Sequence, residues 1–116
     1  MRPKRNPGVA WRLEEGMREL ARDRAGKGEE YEDLGVVTLM AGGTLHQLNL
    51  VGAEIWSRIN GVNTVRKIAQ EVAALFDADP REMEEDLEEF LRDLGQKGWV
   101  LLDAPGAPQG PRWRTS

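Results

Sequence analysis

The feature that most constrains this chain is a change of apolar period at Asn49. Before it, apolar and polar residues alternate; after it, apolar residues recur every three or four positions. Val9, Trp11 and Leu13 alternate with Ala10 and Arg12 after Pro7-Gly8, the pattern of a short half-buried strand. Val36-Val37-Thr38-Leu39-Met40 reads as a second strand, Gly42-Gly43 as a turn and Thr44-Leu45-His46-Gln47-Leu48 as a third strand, so 36–48 is a hairpin. Asn49 then caps a helix with Val51, Ile55, Trp56 and Ile59 on its apolar side, ended by Asn60-Gly61. Thr64 caps a second, with Val65, Ile68, Ala69, Val72, Leu75 and Phe76 on one face. Asp79-Pro80 opens a third, whose apolar face is Met83, Leu87, Phe90, Leu91 and Leu94 and whose stop signal is Lys97-Gly98. Trp99–Leu102 returns as an extended segment. Strands first and three helices after give an α+β domain with a helix-turn-helix between the last two helices.

Three segments carry weaker patterns. Over 14–33, Leu13, Met17, Leu20 and Ala21 stand at helical spacing, but Gly16, Gly26 and Gly28 interrupt and four acids follow; a short helix and an irregular loop both fit. Residues 1–8 read as a basic N-terminal arm, 9–102 as the folded domain with an irregular excursion at 14–33, and 103–116 as a disordered tail rich in Pro, Gly and Arg. No apolar stretch follows the basic start, as a secretory signal requires, and no run could span a bilayer; a cytoplasmic location and no membrane partner are expected.

The residues offer little chemistry. There is no Cys and a single His, His46, so a metal triad or a nucleophile–base pair has no visible members; no cofactor, metal or catalytic role is expected. The glycines at 42–43 and 26–28 match no phosphate-cradling motif. What remains is binding. A winged-helix DNA reader is one alternative, with the third helix in the major groove. Residues 80–97, however, carry seven acids against Arg81, Arg92 and Lys97, and such a face repels a duplex; no nucleic acid is expected. The hairpin offers another surface, because an uncovered strand edge can accept an extended peptide as a further strand.

Leu45-His46-Gln47-Leu48-Asn49-Leu50-Val51-Gly52-Ala53-Glu54-Ile55-Trp56 is the run that suggests a relationship. Together with Asn60-Gly61, Thr64-Val65, Phe76-Asp77-Ala78-Asp79-Pro80, Asp86-Leu87, Phe90-Leu91, Leu94 and Gly98-Trp99-Val100, it resembles the PqqD-like family, the recognition elements of ribosomally made, post-translationally modified peptides. Asn6-Pro7-Gly8-Val9 looks like that family's first strand. The chain departs from the pattern at Val51, where Thr or Ser is common, in the longer 14–33 excursion and in the extra tail.

The resemblance implies a winged-helix-like α+β fold, a three-stranded antiparallel sheet packed on three helices. It implies a non-catalytic peptide chaperone that presents a precursor's leader peptide to a modifying enzyme, a radical S-adenosylmethionine maturase or another of these pathways' enzymes. The leader would add as a strand beside Thr44, Leu45, His46, Gln47 and Leu48 and rest on the third helix. There Met83, Leu87, Phe90 and Leu94 would supply apolar contacts, and Asp86, Glu89 and Asp93 would favour Lys or Arg in the leader. Leu91 is assigned to the core, as are Ile55, Trp56 and Ile59.

Overall fold

A computed structural model describes residues 2–102. In chain order the elements are β1 (Lys4–Arg5), β2 (Ala10–Leu13), α1 (Glu15–Gly26), β3 (Val37–Ala41), β4 (Thr44–Leu48), α2 (Leu50–Arg58), α3 (Val65–Leu75), α4 (Pro80–Gln96) and β5 (Val100–Leu101). The protein is thus α+β, with four helices and a three-stranded antiparallel sheet among the described residues; the fourth helix, α1, lies in the segment where a short helix and a loop both fitted the pattern. The expected tail, 103–116, lies outside the described residues. The chain forms two compact units, one from Pro7–Ser57 and the other from the first six residues together with Arg58 onward.

In the first unit, alternation does what the sequence predicts. The sheet order is β2-β3-β4, with Trp11 opposite Leu39 and Leu13 opposite Val37, then Leu39 opposite His46 and Val37 opposite Leu48. Side chains of a strand alternate between faces, so Val37, Leu39 and Leu48 share one face and are buried, while Met40, Leu45 and Gln47 share the other and are exposed. Gly42 and Gly43 form the two-residue turn with φ of 60° and 77°, values that glycine takes without steric cost. Asn49 caps α2 as expected: its Oδ1 accepts the Gly52 N–H at 3.0 Å. Trp56 is fully buried and meets Trp11 edge-on, ring centroids 6.1 Å apart.

The segment left open at 14–33 contains a regular helix, so the excursion is not irregular throughout. Two of the glycines that seemed to interrupt it stand at its ends, Gly16 as the second residue and Gly26 as the last, where they disturb few backbone bonds. The amphipathic signal was weak because Ala21 is the helix's one buried residue. Ions attach α1 instead. Arg18 and Arg22 reach Glu54 of α2, at 3.3 and 2.8 Å, and Glu54 is only 2% exposed. At the entry to α1, Glu14 accepts bonds from Arg12 and from Thr38 Oγ1, and these hold its carboxyl below the usual range.

In the second unit, both predicted helix caps are present. Thr64 Oγ1 accepts the Lys67 N–H at 3.1 Å, and Asp79 Oδ1 accepts the Arg81 N–H at 2.8 Å with Pro80 opening the helix. α3 and α4 pack against each other, α3 burying Val65, Ile68, Ala69, Val72 and Ala73, and α4 burying Leu87, Leu91 and Leu94. The basic arm expected at 1–8 is corrected here. β1 pairs with β5, Lys4 opposite Leu101 and Arg5 opposite Val100, and Lys4 also bridges Asn60. Asn6 adds two bonds, its N–H to Trp99 O at 2.9 Å and its Nδ2 to Gly98 O at 2.7 Å. Backbone pairing requires no apolar pattern, so a strand can hide in a basic segment.

Candidate peptide-binding surfaces

β4 is the last strand of its sheet among the described residues. The two-residue turn sets which of its groups are engaged. A turn of that length closes on a hydrogen-bonded pair, here Ala41 and Thr44, and bonded pairs then alternate along the ladder. Thr44, His46 and Leu48 therefore bond toward β3, and the N–H and C=O of Leu45 and Gln47 point away from it along the open edge. Their side chains lie on the exposed face: Leu45 is 62% exposed and sits across from Met40, itself 47% exposed. Gln47 folds its amide over Gly35, where an added Cβ would come within 2.5 Å of the Gln47 Cδ. Leu48 is 9% exposed and faces the opposite way with Val37. Its carbonyl also bonds on the β3 side, accepting the Val36 N–H at 2.8 Å, so Leu48 marks the end of the edge and turns neither side chain nor backbone groups outward, which corrects the contact role expected of it.

α4 presents a second surface. Asp86, Glu89, Phe90 and Asp93 line one depression, and their spacing of three and four residues makes them a single stripe along the helix. The three acids are exposed and Phe90 is half-buried among them. Asp93 also pairs with Lys97 at 2.8 Å, and the Lys97 ammonium lies 5.1 Å from the centre of the Trp99 ring. Met83 is half-buried. Leu87 and Leu94 are 0% and 1% exposed, so they are core beside Leu91 and present no side chain to a ligand. The helix is buried along one narrow stripe, and that stripe takes the leucines while leaving Phe90 at its border.

The strand edge and the acidic stripe named from the sequence both lie on the surface, whereas Leu87 and Leu94, expected to supply apolar contacts, are enclosed. Sequence reasoning missed Met40, whose signal was present: Met40 lies in the outward register opposite Leu45 once the turn is fixed at Gly42-Gly43. Among the described residues no three His, Cys, Asp or Glu side chains gather as a metal-binding set, and no helix is long and apolar enough to cross a membrane.

An edge strand and an exposed helical stripe, in a small α+β chain, are surfaces of the kind that peptide-binding modules use. The sequence model of the family described as Coenzyme PQQ synthesis protein D (PqqD) matches residues 35–100. The chain belongs to the PqqD family. Its structure is similar to the solution NMR structure of the PqqD truncation of Methylobacterium extorquens PqqCD, described as a functional, stand-alone RiPP recognition element. That likeness has a TM-score of 0.58 and 25% sequence identity, and covers 86% of this chain and 88% of that one. No curated protein matches the chain.

Proposed function

We propose that this chain is a leader-peptide recognition element, which holds a ribosomal precursor peptide for a separate modifying enzyme and performs no chemistry itself. The observation that carries this reading is the open edge of β4, with the backbone groups of Leu45 and Gln47 turned outward, in a chain of the PqqD family. The leader adds to β4 in the extended conformation. Backbone pairing supplies affinity with little demand on sequence, and side-chain contacts supply choice. Thr44, Leu45 and Gln47 present side chains at that edge, with His46 half-buried beside them. In this reading the leader also contacts α4, where Phe90 and Met83 offer apolar surface and Asp86, Glu89 and Asp93 favour cationic residues; membership of the PqqD family supports such a contact. The modifying enzyme, a radical S-adenosylmethionine maturase in one form of the reading, supplies the reactive chemistry, and the module works in the cytoplasm on a soluble precursor. A DNA-reading role for α4 finds no support in a helix that carries seven acids and only Arg81 and Arg92 as bases.

Titration of isotope-labelled protein with the cognate leader tests this. Amide shifts concentrated at 44–48 and 86–93 are expected. Shifts confined to residues 2–6 or to 14–33 would reject the surface. Gln47→Pro, which deletes one of the two outward N–H donors, should abolish the shifts at 44–48 while the remaining amide spectrum shows the domain still folded.

A further inference from the structure

The α4 stripe has a ligand candidate within the same chain. Residues 103–116 lie outside the described structure, and their sequence places the segment's two cations around an aromatic: Arg112-Trp113-Arg114. The stripe is the complement of that triplet. Asp86 and Asp93 bracket Phe90 along the helix, about 10 Å apart at 1.5 Å per residue, and Glu89 stands beside it. An aromatic ring can lie against Phe90 while guanidinium groups reach the carboxylates on either side, geometry that arginine satisfies with bidentate bonds. The Asp93–Lys97 pair is exposed on both sides, and an exposed pair of that kind is worth at most about 1 kcal/mol, so it does not bar a competing arginine.

The point where the segment begins favours docking within one molecule. The last described residue, Leu102, lies against α4 itself: its Cδ1 would be 3.1 Å from a Cβ placed on Gly95. Ten residue steps separate Leu102 from Arg112, a reach of up to about 33 Å, whereas α4 with its 17 residues is about 25 Å long. Any point on the helix is within range, and a short tether raises the local concentration of the triplet to the order of millimolar.

We propose that Arg112-Trp113-Arg114 docks in cis on the depression formed by Asp86, Glu89, Phe90 and Asp93, covering that face until a cationic ligand displaces it. The displacement by a leader rests on the function proposed above; the docking does not, and it is tested without any leader. The chain has no cysteine, so Ser116→Cys creates a single attachment point for a nitroxide. In the isotope-labelled full chain, the nitroxide should broaden the amides of 86–93 selectively. The broadening should fade as salt shortens the Debye length from about 10 Å at 0.1 M to about 3 Å at 1 M. It should disappear when Arg112→Glu and Arg114→Glu are added, with the other amides of 2–102 unmoved as the check on folding. Broadening limited to residues next to Leu102, or unchanged in the double variant, would overturn the proposal. So would equal broadening in a mixture of spin-labelled unlabelled-isotope chain and untagged isotope-labelled chain, which would make the occupant a second molecule.

Discussion

α2 and α4 are helices of one chain that use acidic residues in opposite ways. α2 buries five consecutive residues, Gly52 to Trp56, and its acid, Glu54, is among them with Arg18 and Arg22 at 3.3 and 2.8 Å. α4 buries three leucines and leaves its acids in water. An acid enclosed by protein must be partnered or it costs several kcal/mol; an acid in solvent costs almost nothing and remains available to a ligand. The same residue type is thus a structural anchor in one helix and a solvated charge, open to the ligand proposed above, in the other, and only the surroundings distinguish them.

The contrast can be broken most severely at α2. Trp56→Ala removes a fully buried ring that meets Trp11 edge-on, and should cost about 3–5 kcal/mol of stability in denaturant or thermal melts. A melt like that of the parent protein would contradict the burial of the ring. Glu54→Ala should cost less, about 1–3 kcal/mol, because Arg18 and Arg22 are 30% and 51% exposed and can recover water when their partner is gone. Proteolysis should then begin within α1, whose attachment depends on those ions. Cleavage elsewhere first would show that α1 is held by other means.

On α4 the expected effects move from folding to binding. Asp86→Lys with Glu89→Lys should leave stability within about 0.5 kcal/mol, as surface substitutions do. Leader binding measured by calorimetry should weaken by no more than a few kcal/mol, and more at low salt than at high salt. An equal loss at both salt concentrations would mean that the acids do not act through charge. Glu14 sharpens the comparison at the smallest scale. Its carboxyl is lowered by the bonds from Arg12 and Thr38, so its contribution is complete above the unfolded-state value and is lost as pH falls through the folded one. Glu14→Gln should therefore melt slightly below the parent protein near neutral pH and indistinguishably from it in acid. A difference that persists in acid would assign the effect to packing.

Much of this architecture was legible before any coordinates. The two strands of the hairpin were marked by residue type, Gly42-Gly43 as the turn between them, and Asn49, Thr64 and Asp79 as caps, because each depends on residues within a few positions of one another. The candidate site was legible in outline for the same reason. Asp86, Glu89, Phe90 and Asp93 fall on one stripe of any helix that spans them. Which neighbours of that stripe reach solvent was not legible, since Leu87 and Leu94 differ from Phe90 by a fraction of a turn and their burial depends on what packs over them.

What the sequence by itself determined was therefore local: the change from period two to period 3.6, the turn, the caps and the acidity of α4. The tertiary structure alone decided that α1 is a helix, that Glu54 is enclosed, and that the basic start of the chain is a strand. The first two rest on Arg18 and Arg22 meeting a residue 36 and 32 positions away, and the third on Asn6 meeting Gly98, 92 positions away. Such contacts leave no periodic trace, because their stability comes from ions and backbone bonds between distant segments, not from an apolar repeat within one segment.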